Sequence, residues 1–348
     1  MSGPLLPPLP LPQGVSSRQI DSRPNGLSFH ILEAGYTADR ERPLIVLLHG
    51  SPELAFSWRK GCYIVAPDQR GYGRTTGWDN RDFANVDLNE FSMTNLVRDV
   101  IVLVHALGYR DVKCLVGHDF GAVAAAFCAL ARPDFFKSVV LMSHPFKKVP
   151  SLPTLNTITA QAIGTPESGL PPAASNTSIH TDLASLGRRH YKWYYSTQPA
   201  SSEMTNPPNG LHEFLRGRLL AIAADMAQED PSAIQDSQSW LPDSDLEVYV
   251  LEFRRKSFQG ALNWYRVCTN SDPTAACKRD IDIFAGKRME CPMAYISGMP
   301  GAVEAMMTKE VYADFRGLKF VDGAGHWVQQ EKPEQVTSGI LELIRSLE

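Results

Sequence analysis

The sequence predicts an α/β protein in which a mostly parallel sheet is flanked by helices. Short continuous apolar runs, of which 43–48 is one, suit strands that are buried on both faces. Apolar residues at helical spacing follow several of these runs, and repeated strand–helix units imply parallel pairing. Hydrophobic residues make up 43% and charged residues 21% of the 348 residues, which is enough apolar material for a large core.

The predicted elements alternate through the first half of the chain. Strands are predicted at 43–48, 63–66, 112–116 and 138–142, and helices at 91–107 and 122–131. The pattern then changes to a stretch rich in Pro, Ser, Thr and Asn at 150–208, followed by helices at 211–227 and 246–258. It returns with strands at 292–297 and 318–321 and a last helix at 333–347. The order predicts a Pro-rich arm (1–18), a first core segment (19–146), a helical lid (147–278) and a second core segment (279–348).

Composition excludes some classes of protein. The formal charge of −4 argues against a nucleic-acid partner, and no run of about 18 apolar residues predicts a membrane span. The six cysteines form no CxxC pair, which indicates free thiols in a reducing compartment. The first residues have no basic segment before their apolar stretch, so we expect no secretory signal and a cytoplasmic protein.

The residues Gly117-His118-Asp119-Phe120-Gly121 lie between an apolar strand and a helix. Small residues flank a nucleophile in a sharp strand-to-helix turn because the backbone is crowded there. The central residue is Asp119, and a carboxylate can displace an alkyl leaving group and form an ester. The alternative is that Asp119 only caps the following helix.

Two more loops carry candidate groups. His49-Gly50-Ser51-Pro52 follows the first buried strand, and such a loop donates a backbone N–H to an oxyanion hole, with the N–H of Phe120 as second donor. Gly325-His326-Trp327 lies in a Gly-rich loop after the last strand, where His326 suits a general base. The order of nucleophile first and histidine last is typical of one hydrolase architecture.

These motifs, together with Arg70-Gly71-Tyr72-Gly73-Arg74, resemble the soluble epoxide hydrolases of the α/β-hydrolase superfamily. The resemblance covers the chain from about residue 27 and is weakest in the lid. It implies an α/β-hydrolase fold with an inserted lid that carries two catalytic tyrosines. These would be Tyr191, in the segment 190–195, and Tyr265, in the segment 262–266, with Tyr194 or Tyr195 as an alternative to Tyr191.

The resemblance implies a mechanism without metal or organic cofactor. Asp119 opens the epoxide, the two tyrosines polarise its oxygen, and His326 activates the water that hydrolyses the ester. The substrate is expected to be a small apolar epoxide because aromatic residues surround the motifs. The expected substrate-binding residues are Pro52, Trp193, Trp264 and Trp327. A homodimer is a further expectation.

The sequence departs from the family at the acid that orients the histidine. The expected Asp after the strand at 292–297 is absent, and Glu304 is the nearest candidate. Asp322 is close to His326 in sequence but is expected to point elsewhere. Two other functions stay open. One is that of a haloalkane or haloacid dehalogenase, although Phe120 stands where haloalkane enzymes commonly have Trp. The other is that of a binding protein whose turnover is impaired because the acid is missing.

Overall fold

One sheet of eight strands organises the chain in the computed structural model. The structure describes residues 6–35, 41–59, 64–152, 191–223, 237–270, 272, 274–298 and 307–348. The strands are β1 (Val15–Ser22), β2 (Leu27–Ala34), β3 (Ile45–Leu48), β4 (Ile64–Pro67), β5 (Cys114–His118), β6 (Val139–Met142), β7 (Met293–Ser297) and β8 (Phe315–Phe320). Their order across the sheet is β1-β2-β4-β3-β5-β6-β7-β8.

The pairing confirms the predicted α/β class. All pairs from β4 to β8 are parallel, and only the pairs that involve β1 and β2 with their neighbours are antiparallel. The strands β4, β5 and β6 are buried along their whole length, as expected for strands with helices on both faces. Two apolar clusters lie on the two sides of the sheet.

Helices follow the strands much as the sequence predicts. The α-helices whose limits lie within the described residues are α1 (Met93–Ala106), α2 (Phe120–Ala131), α3 (Tyr191–Tyr195), α4 (Ala200–Thr205), α5 (Leu211–Ala223), α6 (Asp243–Lys256), α7 (Gln259–Thr269), α8 (Ala276–Arg279), α9 (Val328–Glu331) and α10 (Pro333–Arg345). Residues 237–240 are helical as well. Short 3₁₀ helices lie at Ala55–Trp58, Leu88–Phe91 and Asp280–Phe284. Within residues 49–59, the described part of the crossover from β3 to β4, the helix is the four-residue one at Ala55–Trp58.

The N-terminal hairpin of β1 and β2 differs from the sequence prediction. The strand β1 begins at Val15, inside the segment 1–18 that was predicted as a Pro-rich arm. Most of its first residues are exposed, since it lies at the edge of the sheet with one covered face. An edge strand of this kind lacks the apolar run that marks the central strands.

The helices α3 to α8 are inserted between β6 and β7, where the sequence predicts a lid at 147–278. Residues 153–190 and 224–236 of that segment lie outside the described part of the chain, so its limits stay a prediction. The helix α3 contacts α7, and α7 also contacts the 3₁₀ helix Leu88–Phe91 of the core. This places α7 beside the loops that leave the carboxyl ends of the strands.

The cysteines and the helices give two further observations. Cys114, Cys128, Cys277 and Cys291 are buried free thiols, whereas Cys268 is free and exposed, and Cys62 lies outside the described residues. Among the described residues, no helix is both long enough and apolar enough to cross a membrane.

Candidate active site

Asp119 occupies a strained turn between β5 and α2. Its φ of 52° and ψ of −118° are unusual for a residue with a side chain, and such strain costs about 1–3 kcal/mol. The turn is crowded because a Cβ on Gly121 would lie 2.3 Å from the carbonyl oxygen of Leu48. A Cβ on Gly117 would lie 2.2 Å from the carbonyl oxygen of Gly121. The small residues predicted around Asp119 are therefore required by close backbone approach.

The carboxylate of Asp119 faces two backbone N–H groups. The N–H of Ser51 donates a 3.0 Å hydrogen bond to Oδ1, and the N–H of Phe120 also bonds to the carboxylate. Gly50 permits this approach, since a Cβ there would lie 2.6 Å from Oδ1. The structure thus brings both predicted oxyanion-hole residues to the same carboxylate.

Asp119 is held as an anion. Burial raises its pKa, but His326, His118 and His144 outweigh burial and hold the pKa below its usual value. Its side chain is 20% exposed, so the anion stays accessible. Among the described residues, His326 is the only basic side chain with a nitrogen within 4.0 Å of this carboxylate, because no Lys or Arg comes that close.

His326 lies beside the nucleophile, with Nε2 3.7 Å from Oδ2 of Asp119. Its ring packs edge-on against Trp327 at 4.6 Å and against His118 at 4.9 Å between centroids. Its carbonyl oxygen accepts hydrogen bonds of 2.8 Å from His118 Nε2 and from Ser143 Oγ. Burial, reinforced by His118, lowers the pKa of His326 to about 4, so the ring is neutral at pH 7 and can accept a proton.

A buried ion pair under His326 was missed in the sequence. His118 Nδ1 lies 2.6 Å from Glu53 Oε2, and both side chains are fully buried. Burial opposes the charges, yet their mutual attraction raises the pKa of His118 and lowers that of Glu53. Gln329 and Gln330 donate to the other oxygen of Glu53 at 2.8 and 3.0 Å. These contacts indicate a structural role for His118. The only signal in the sequence for Glu53 is its place after Pro52.

Three aromatic rings of the inserted helices gather above the nucleophile. Tyr265, 4% exposed, packs edge-on against Phe120 with centroids 4.8 Å apart. Tyr195 and Tyr191 lie 5.0 and 6.2 Å from the Tyr265 ring. Burial raises the pKa of Tyr191 to about 12, with the anionic Asp119 as second cause, and that of Tyr265 well above its usual value for the same two reasons. Both phenols therefore keep their protons at pH 7.

The structure distinguishes among the tyrosines of α3. Tyr194 donates its hydroxyl to Glu203 at 2.7 Å, at an exposed position away from the nucleophile. Tyr191 and Tyr195 instead share a cation, since the Arg218 guanidinium lies 5.5 Å from one ring centroid and 5.1 Å from the other. No local sequence pattern marks Arg218 as a residue of the site. These contacts leave Tyr191, with Tyr195 as its alternative, as the partner of Tyr265.

The predicted substrate-binding residues have different environments. Trp327 is fully buried and donates its indole N–H to the carbonyl of Leu219 at 2.6 Å, and Trp264 donates to the carbonyl of Arg70 at 2.9 Å. Trp264 also packs edge-on against Phe120 at 5.6 Å. Trp193 is half-buried on α3, and Pro52 is buried beside Ser51. These contacts favour supporting roles for Trp264 and Trp327.

Comparison with known proteins places this arrangement in a family. The profile described as "Alpha/beta hydrolase family" matches residues 45–338, which is most of the chain. The chain belongs to the alpha/beta hydrolase family. The predicted fold is thereby confirmed, and the nucleophile, histidine and oxyanion-hole candidates occur in the chain order of that fold.

Relatives of this hydrolase carry epoxide hydrolase names. It is 29% identical to epoxide hydrolase A of Mycobacterium tuberculosis, over 96% of this chain and 98% of the relative. It is 25% identical to epoxide hydrolase 3 of Siraitia grosvenorii, over 92% and 96%. The structure of potato epoxide hydrolase I superposes with a TM-score of 0.71 at 26% identity, over 95% of this chain and 99% of that one. The resemblance seen in the motifs is confirmed.

The acid that is expected to orient the histidine stays a prediction. Glu304 lies outside the described residues. Among the described residues, Asp119 is the only carboxylate within 4.0 Å of a ring nitrogen of His326. Asp322 is exposed. In the same part of the chain, no three His, Cys, Asp or Glu side chains are grouped to hold a metal ion.

Proposed function

We propose that this hydrolase is an epoxide hydrolase that converts an apolar epoxide into a vicinal diol. The observation that supports this proposal best is the strained Asp119 carboxylate, whose Oδ1 accepts a hydrogen bond from the Ser51 N–H and whose charge acts on the protonated phenols of the buried Tyr265 and the 39% exposed Tyr191. The names of its relatives support the same substrate class. A cytoplasmic location and a homodimer are proposed with it.

The first step opens the ring. Asp119 Oδ2 forms a bond to one epoxide carbon while the bond from that carbon to the epoxide oxygen breaks. The electron pair remains on the epoxide oxygen, which takes a proton from Tyr265 or Tyr191. Oδ1 becomes the ester carbonyl oxygen and keeps its hydrogen bond from Ser51.

The second step hydrolyses the ester. His326 takes a proton from water, and the hydroxide attacks the Asp119 carboxyl carbon. Negative charge develops on Oδ1 beside the N–H groups of Ser51 and Phe120, which stabilise it. When the intermediate collapses, the diol oxygen leaves with the proton from His326, and the Asp119 acid restores the tyrosine proton.

The acid that orients His326 affects only the second step. Ring opening needs ionised Asp119 and protonated tyrosines, whereas hydrolysis needs an oriented His326. Glu304 is the proposed orienting acid. Loss of this acid from a serine triad lowers kcat by about 10⁴. If no carboxylate takes this place, the alkyl-enzyme ester accumulates.

Intact-mass spectrometry with styrene oxide tests the function. We expect a covalent adduct of one epoxide molecule on Asp119 and release of the diol. Asp119→Asn should form neither, whereas Asp322→Asn, the same change at an exposed aspartate, should behave as the wild-type protein. Halide release from haloalkanes without diol formation would indicate a dehalogenase. Tight binding of the epoxide by both wild-type and Asp119→Asn proteins, without turnover, would indicate a binding protein.

A further inference from the structure

The loop of residues 70–74, between β4 and α1, holds the inserted helices on the core. Trp264 of α7 donates its indole N–H to the carbonyl of Arg70 at 2.9 Å. Arg74 donates to Glu252 of α6 at 2.7 Å, in an ion pair whose two side chains are 9% and 6% exposed. Arg255 of α6 donates to the carbonyl of Gly73 at 3.0 Å. We call this loop and its contacts on α6 and α7 the joint.

Two glycines touch through their backbones at the centre of the joint. A Cβ on Gly260 would lie 2.3 Å from the carbonyl oxygen of Gly71, and a Cβ on Gly71 would lie 2.5 Å from that of Gly260. Real Cβ atoms do not approach so closely, and the obstacle in both directions is backbone. A side chain at either position would therefore require α7 and the loop to move apart by about 1 Å, the gap between 2.3 Å and ordinary close contact.

Such a movement would reach a phenol of the site. Tyr265 lies five residues after Gly260 on the same helix, which is about 7.5 Å along its axis. A short helix moves as a rigid rod, so a displacement at its first turn is transmitted to Tyr265. Tyr265 packs on Phe120, the residue next to the nucleophile.

We infer that Gly71 and Gly260 are positioning residues, and that their backbone contact sets the height of the Tyr265 phenol above Asp119. The inference rests on the proposed function. A misplacement of about 1 Å can lower a catalysed rate by about 10²-fold. Because Tyr265 acts on the epoxide oxygen, the loss should fall on ring opening and spare ester hydrolysis.

Gly260→Ala is the decisive variant. The backbone of Gly260 is not in the left-handed region, and alanine favours helix by about 1 kcal/mol, so its effect is steric. Gly217→Ala is the matched control, since Gly217 lies on α5 of the same insertion and a Cβ there meets nothing within 4 Å. Quenched-flow with intact-mass detection of styrene oxide adducts gives both rates, and thermal unfolding reports folding.

We expect Gly260→Ala to form the ester about 10- to 100-fold more slowly and to hydrolyse it at the wild-type rate. Gly217→Ala should match the wild-type protein in both steps. A folded Gly260→Ala protein that opens the ring at the wild-type rate, or that loses both steps equally, overturns the inference. If Gly260→Ala does not fold, Glu252→Gln, which weakens the joint away from the phenol, must show the same selective loss. A wild-type protein that forms neither ester nor diol refutes the proposed function instead.

Discussion

Replacing Tyr265 with phenylalanine removes one hydroxyl above the nucleophile and preserves the ring. The ring is 4% exposed and packs edge-on against Phe120, so phenylalanine should keep the packing of α7. Burial and the anionic Asp119 hold the phenol in its protonated form. The substitution therefore removes a proton donor that ring opening uses.

The size of the effect follows from the charge that develops on the epoxide oxygen. A hydrogen bond to a charged group contributes about 1.5–3 kcal/mol. At about 1.4 kcal/mol for each factor of ten, its loss slows ring opening by roughly 10- to 150-fold. The rate of adduct formation in a single turnover with styrene oxide measures this step apart from hydrolysis.

Tyr194→Phe is the control for this experiment. Tyr194 belongs to the same group of aromatic residues, but its hydroxyl bonds to Glu203 at an exposed position. We expect it to open the ring at the wild-type rate. If Tyr265→Phe forms the adduct as fast as the wild-type protein, or if Tyr194→Phe is equally slow, the assignment of the phenol is wrong.

Three other predictions concern groups near the nucleophile. Burial lowers the pKa of His326 to about 4, and esterification removes the Asp119 charge that raises this pKa. Ester hydrolysis should therefore be constant from pH 7 to 5 and decline only at about pH 4 or below. Single-turnover rates with a midpoint near 6.5 would contradict this. Glu304→Gln should slow hydrolysis by up to about 10⁴ and leave adduct formation unchanged, and an unchanged hydrolysis rate would remove Glu304 from the mechanism. Arg218→Met should slow ring opening by about 2- to 30-fold, because a cation on an aromatic face contributes about 0.5–2 kcal/mol. Arg218 also opposes the rise in the pKa of Tyr191 and Tyr195. Arg218→Lys should recover part of the rate in the same adduct assay.

The sequence predicts the central strands and the turn at Asp119 because their signals are local. A buried parallel strand requires a continuous apolar run, and the turn requires small residues at fixed offsets. The edge strand β1 lacks such a run, since its pattern is mostly exposed. The sequence therefore places Val15 within the predicted arm.

Contacts between distant segments could not be predicted in the same way. The 2.6 Å ion pair of Glu53 and His118 joins residues that are 65 positions apart, and each looks ordinary in its own segment. Arg218 of α5 lies over the rings of Tyr191 and Tyr195 of α3, a contact between two separate helices that no local pattern marks. The choice between Tyr191 and Tyr194 likewise depends on which side of α3 faces the nucleophile, and the structure settles only that Tyr194 faces Glu203.

The surroundings of Asp119 favour a nucleophile over a simple binding group. A lysine or arginine paired with the carboxylate would also keep it ionised, but it would hold the electron pair that must attack carbon. Among the described residues, the carboxylate instead has the backbone N–H of Ser51 on Oδ1 and the weakly basic His326 3.7 Å from Oδ2. A binding site has no need of the strained backbone at Asp119 or of an anion without a close cation, and both cost free energy. Attack on carbon uses both, because an anion that no Lys or Arg of the described residues approaches within 4.0 Å keeps its electron pair available.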